Sequence, residues 1–223
     1  IESESLTVRN QEMEGIDRSS SQGLGIRVLL DGYWGFAATA RLGEGEIHRT
    51  AELATRIAKA ASRLPREPVT LAAVEPATGR YQTPMQQDPF TVPLEEKIAL
   101  LMEATRRVQA VEGVTFAEGG IDLFRSRSWF ASSEGSAIEQ TIVHSGAGID
   151  ATAIGDGEMQ RRSYPNAFRG HIAAAGWEHI AKLGLVEEAE RTGAEAVELL
   201  SAPECPSEVT TVDFSGRPPV VDP

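Results

Sequence analysis

The chain is poor in the residues that would fix its chemistry at a glance. It has one cysteine, Cys205, so no disulfide can close within it. No apolar run approaches the roughly 18 residues of a membrane span, and the N-terminus lacks the basic-then-apolar design of a secretory leader. Together these absences read as a cytoplasmic protein. Positive charge is also scarce: 21 Lys and Arg stand against 33 Asp and Glu, a net charge of −12. Phosphate neutralisation needs clustered cations, so nucleic acid is not expected as a direct partner. The dipeptide His-Glu is absent, which excludes the usual helical zinc-peptidase motif from this stretch of sequence.

What is present suits an ordinary globular core, with 41% hydrophobic and 24% charged residues in 223. Leu6–Arg9 and Gly25–Leu30 alternate as strands do, and Tyr33–Thr39 returns across Asp31-Gly32, a favoured two-residue hairpin turn. Ile47, Ala51, Ala54, Ile57, Ala58 and Ala61 recur at helical spacing, ended by Pro65 and Pro68. Val69–Val74 reads as a short strand, and Glu75–Thr91, with three prolines, as a long loop at a boundary. A helix from Pro93 to Gly113 comes next. Strands are expected over Val114–Glu118, Ile121–Ala131, Ala137–His144, Gly148–Ile154 and Glu158–Tyr164, the last entered through Asp156-Gly157. Phe168–Leu183 and Val186–Leu200 read as two helices broken near Gly184, and Glu208–Val212 as a final strand.

The expected fold class is therefore α+β, antiparallel sheets of hairpins and a meander packed against helices. Its expected sections are an N-terminal subdomain over 1–80 and a middle subdomain over 90–203. Residues 204–223 would begin a further C-terminal domain or form a tail. The proline-rich end and the strand at Ile1 suggest a piece of a longer chain.

Candidate chemistry is sparse. His171 and His179 fall eight apart on the expected helix 168–183, with Glu178 beside the second. Eight helical residues span about 12 Å, too far for one metal ion, so these read as structural histidines. His48 reads as a solvent-facing residue at a helix start. His144 has no G-x-S-x-G nucleophile near it. Gly23-Leu-Gly25 and Gly146-Ala-Gly148 precede strands instead of opening helices, so they read as turns or bulges and not phosphate loops. Cys205 sits between Glu204 and Glu208, acids that oppose thiolate formation. Glu187, Glu188, Glu190, Glu195 and Glu198 read as a solvated helix face. No catalytic, cofactor-binding or metal-binding residue is assigned.

Three segments carry a resemblance. Arg9–Thr39, Trp129–Gln140 and Glu204–Val212 are similar to the TldD/PmbA family of zinc-dependent peptidases, also called modulators of DNA gyrase. The likeness implies a peptidase that holds zinc through H-E-x-x-x-H on a helix following the strand that Glu204–Val212 resembles. No position of this chain matches that motif, so no ligand is carried over, and zinc is expected in full-length family members alone. The resemblance implies a non-catalytic N-terminal portion of a TldD-like metallopeptidase, shaping substrate access and dimer contacts. Peptides or unfolded proteins would be its substrates, and a second copy or a family paralogue its partner. The alternative is a stand-alone peptide-binding or partner subunit without catalysis, taking an extended peptide on a sheet edge.

Overall fold

The computed structural model describes residues 1–63, 67–155, 157–166 and 170–203. The fold is α+β, and it opens on a hairpin. β1 (Glu2–Arg9) points Glu4, Leu6 and Val8 inward and returns as β2 (Glu12–Ser20) through Asn10 and Gln11, at φ of 49° and 64°. Two successive positive φ values define the tight turn whose twist matches paired strands. Asn10 anchors it, because its Oδ1 accepts from the Ala117 N–H at 2.9 Å and its own N–H donates to the Ala117 carbonyl at 2.8 Å. Nearly every residue of β2 is exposed, so it carries no apolar alternation that would mark a strand.

A second hairpin stands apart as a two-stranded sheet. β3 (Leu24–Leu30) and β4 (Tyr33–Thr39) join through Asp31 and Gly32, at φ of 51° and 83°, with Leu30 opposite Tyr33 as expected. α1 (Glu44–Ala61) lies across it, burying Thr50, Ala54 and Ala58. The approach is so close that a Cβ on Gly35 would land on the Ala54 carbonyl oxygen.

The remaining strands form one seven-stranded sheet in the order β2-β1-β6-β7-β5, with β8 and β9 also on β7. The four strands expected between 114 and 154 are two long ones. β6 (Val114–Ala131) and β7 (Ala137–Gly155) pair antiparallel from Val114 opposite Ala153 to Ala131 opposite Ala137. The break expected between His144 and Gly148 is absent, Gly146 lying within β7, while Gly148 and Gly25 fall in strands, as the expected Gly148–Ile154 and Gly25–Leu30 place them. Their smallness serves proximity. A Cβ on Gly146 would strike Ile172, and one on Gly148 would meet the backbone of Gly170.

The far edge of β7 is covered in three pieces: β5 (Thr78–Gln82), β9 (His171–Ala173) and β8 (Glu158–Tyr164). β5 runs parallel to β7, an exception to the antiparallel expectation, and it lies inside the 75–91 segment read as a loop. Residues 69–74 form no strand. They are exposed, and the Val69 N–H donates to the Gly32 carbonyl at 2.8 Å, so their β-favouring composition has no ladder to join.

α2 (Leu94–Gln109) and α4 (Ala189–Glu198) cover one sheet face. Leu101 and Val108 pack there with Leu6, Val8, Ile121 and Ile149 in the main core. The helix expected over 186–200 is α4 followed by a 3-10 turn, Leu199–Ser201. The helix expected over 168–183 is instead β9 and the short α3 (Trp177–Lys182). An alanine-rich run fits either period, and pairing with Ser145–Ala147 decides for a strand. The expected strand 208–212, Cys205, Asp156, Pro65 and Phe168 lie outside the described residues.

Beneath the sheet sits a fully buried ion pair. Lys97 Nζ of α2, 0% exposed, donates to Glu4 Oε1 at 2.5 Å, and Arg18 Nε of β2 donates to Glu4 Oε2 at 2.6 Å. Three elements are thus clipped at one carboxylate. Among the described residues no helix is long and apolar enough to cross a membrane.

Candidate functional site

The structure brings His171 and His179 together, which the helical spacing does not allow. Because His171 is on β9 and His179 on α3, Nδ1 of the first lies 3.2 Å from Nε2 of the second, with ring centroids 5.1 Å apart. His179 Nε2 also lies 3.3 Å from the His171 carbonyl oxygen. Burial lowers the His179 pKa below the usual histidine value, and the neighbouring His171 ring adds to this. Both effects favour a neutral imidazole.

Glu178 does not join the pair. Its Oε2 accepts from the Gln87 N–H at 3.2 Å and its Oε1 from the Gly176 N–H at 3.1 Å. Burial raises its pKa, but these backbone donors outweigh burial and hold the carboxyl below its ordinary value. It is committed to tying the start of α3 to the segment at 86–87, and is not poised as a general base. Two imidazoles without a third ligand do not make up the ligand set that a zinc ion needs. Among the described residues no three His, Cys, Asp or Glu side chains are grouped to hold a metal.

The other candidates stay apart. His144 is exposed on β7, opposite Phe124. The neighbouring Ser145 is buried and its hydroxyl donates to the backbone carbonyls of Gly176 and Ala175, at 2.8 and 3.1 Å, so the two cannot act as base and nucleophile. His48 is exposed on α1, 3.9 Å from Glu44. Of the acids on the last helix, Glu188 and Glu195 are ion-paired: Arg191 bridges both, and Arg162 Nε donates to Glu195 at 2.6 Å. Arginine hydrogen bonds hold Glu195 below the usual carboxylate range despite its partial burial.

A cleft of about 900 Å³, missed in the sequence, lies beside the start of β1 and the Arg125–Trp129 stretch of β6. Its lining includes Ile1, Leu24, Leu42, Ile47, Arg127 and Trp129. β1 reaches no further along β6 than Glu2 opposite Arg125. From Ser126 to Ala131, β6 therefore pairs with β7 alone, and its other edge has no strand among the described residues. Arg125 is engaged: its guanidinium donates to Glu2 at 2.9 Å and to Asp88, and stacks 4.3 Å from the Phe90 ring. The side chain of Arg127, two residues on, makes no hydrogen bond or ion pair among the described residues.

Comparison with known proteins gives a consistent answer. Residues 1–58 match PmbA/TldA metallopeptidase domain 1, and residues 87–202 match the PmbA/TldA metallopeptidase central domain. A metalloprotease of Methanothermobacter thermautotrophicus is 28% identical over 206 residues, covering 91% of this chain and 42% of the relative. A metalloprotease of Methanocaldococcus jannaschii is 25% identical, covering 92% and 44%. Among solved structures, a protein of Thermotoga maritima described as a modulator of a DNA gyrase superposes with a TM-score of 0.65 at 18% identity, over 93% of this chain and 44% of that one. TldE from Thermococcus kodakarensis gives 0.56 at 14%, over 86% and 42%. At these identities the structures share the fold. The chain spans less than half the length of the relatives it matches.

Proposed function

The chain belongs to the PmbA/TldD metallopeptidase family, and from that membership we propose that it is the N-terminal, non-catalytic portion of a TldD-like zinc metallopeptidase acting on peptides or unfolded proteins. In this reading it shapes the passage by which substrate reaches a catalytic centre elsewhere, and contributes contacts to a homodimer or to a heterodimer with a family paralogue. The boundary between its two sections falls at 81–89, and 204–223 lead onward. The observation that carries the reading is the pair of family matches on a chain that covers 42% and 44% of its relatives. The commitments of Glu178 and Ser145 to backbone groups support a structural role for the residues most like catalytic ones.

The test is cleavage of casein or an unstructured peptide at matched zinc concentration. Metal-assisted hydrolysis needs a ligand set, a bound water and a base. The 223-residue chain should show no turnover, and a longer form carrying H-E-x-x-x-H should cleave. Chelator-sensitive cleavage by the short chain would overturn the proposal. Equal inactivity of every longer natural form, with peptide binding retained, would favour a stand-alone binding subunit. The exposed edge of β2 favours that second reading.

A further inference from the structure

The two imidazoles of β9 and α3 converge on one point from independent supports. His171 Nδ1 and His179 Nε2 lie 3.2 Å apart, and the His171 carbonyl oxygen is 3.3 Å from the same Nε2. Both contacts are longer than the usual hydrogen bond of about 2.9–3.0 Å, and a neutral pair places at most one proton between these two nitrogens. Each ring is fixed by other means. β9 sets His171 opposite Ala147, while the Ser145 hydroxyl holds the Ala175 and Gly176 carbonyls that lead into α3. The Trp177 N–H donates to the Gln87 carbonyl at 2.9 Å, and Trp177 and Ile180 anchor the helix in the core. The rings themselves are half-buried, open to a solute yet held in place. An ion about 2.0–2.1 Å from each nitrogen would subtend roughly 100° between ligands 3.2 Å apart, which adjacent corners of a square or a tetrahedron accept.

We propose that His171 and His179 together bind one divalent late transition-metal ion, copper(II) most tightly, with water in its remaining positions. Copper(II) heads the divalent series at a given nitrogen site, and imidazole is among its preferred ligands. Zinc, commonly held by three or four protein ligands, is the weaker occupant. Burial that keeps His179 uncharged favours the ligating form of the ring. Glu178 is committed to the Gln87 and Gly176 N–H groups, so the site has no general base and the ion's role is structural. It clips α3 to β9, the strand that covers Ser145–Ala147 of β7. The site is independent of any peptidase centre, and its ligands are both within this chain.

The experiment is calorimetric titration of the metal-free chain with copper(II) at about pH 7.5, where an ordinary imidazole is neutral, followed by pulsed electron paramagnetic resonance of the loaded protein. One ion should bind per chain, and the spectrum should show two coupled imidazoles. Even an outer-shell partner of a metal is worth about 10–100-fold in affinity, so His171→Asn or His179→Asn should weaken binding at least about tenfold and leave one coupled imidazole. His48→Gln, on α1, should change neither reading. Copper should also raise the urea midpoint of the unaltered chain, because only the fold brings ligands of two elements together, and should not raise that of the double variant. A single coupled imidazole on the unaltered chain overturns the proposal, and this count stands even where a variant misfolds. So does equal affinity in the His171 and His179 variants, or a loss confined to His48→Gln, which would assign the ion to the surface of α1. Peptide cleavage is not read in this titration, so its outcome and that of the cleavage test stand or fall separately.

Discussion

The large sheet and the small layer solve the same problem, a helix against antiparallel strands, by opposite means. In the large sheet α2 presses Leu101 and Val108 into a core with Leu6, Val8, Ile121, Leu123 and Ile149, all essentially inaccessible. In the small layer α1 buries only Thr50, Ala54 and Ala58, and meets β4 at Gly35 through backbone proximity. Its larger apolar groups, Trp34, Phe36, Leu53 and Ile57, remain exposed. The first arrangement draws stability from buried apolar area. The second depends on dispersion contacts at short range, which one added methyl can destroy. The two should therefore fail differently.

The largest effect is expected where the large sheet hides charge. Glu4→Leu leaves Lys97 buried without its carboxylate and should cost about 4 kcal/mol, the scale of an uncompensated buried ion. Adding Lys97→Met should recover most of that loss, because paired hydrophobic replacement removes both desolvation costs. Urea unfolding of the two variants checks this. A double variant no more stable than the single one would show that packing, and not the stranded charge, carries the loss.

That ion pair also shows where sequence reasoning stops. The class of fold, the Asp31-Gly32 turn, α1, α2 and β8 are legible because each is local: a turn dipeptide, a 3.6 period, a proline or a glycine at an end. Glu4 and Lys97 are 93 residues apart, and nothing near either marks it as buried. β2 and β5 are invisible for a related reason, since exposed strands need no apolar alternation and exist through their neighbours β1 and β7. The histidines fail in the opposite direction. A run of alanines imitates helical spacing and separates His171 from His179 on paper, whereas a switch from β9 to α3 brings their rings into contact.

In the small layer the expected effects are smaller. Gly35→Val should cost about 2–3 kcal/mol by overpacking against the Ala54 and Ala58 backbone. Gly32→Val, which forces a β-branched residue to a φ of 83°, should cost about 1–2 kcal/mol. Hydrogen exchange monitored residue by residue is the deciding measurement. Loss of protection should be confined to α1, β3 and β4, while β6 and β7 keep theirs. Uniform loss across both regions would erase the contrast and make the chain a single cooperative unit.

The smallest effect is a pH dependence confined to the large region. His179 has a folded pKa below the ordinary histidine value, chiefly through burial, with His171 from β9 and Lys182 on its own helix acting in the same direction. Its backbone contact to His171 and the charge of Glu178 oppose the shift without reversing it. The unfolded chain therefore binds the proton more readily. The stability contributed is complete above about pH 6.5 and is lost as pH falls through that value toward the folded pKa. The lowered carboxylates Glu46, Glu103, Glu178 and Glu195 titrate in a lower window and leave this one clear. Urea midpoints taken between pH 8 and pH 5.5 should decline, and a His179→Gln variant should flatten the decline. Exchange protection should fall first at β9 and α3, where the two rings meet. A decline that begins in α1 instead would place the pH-sensitive element in the small layer and reverse the assignment.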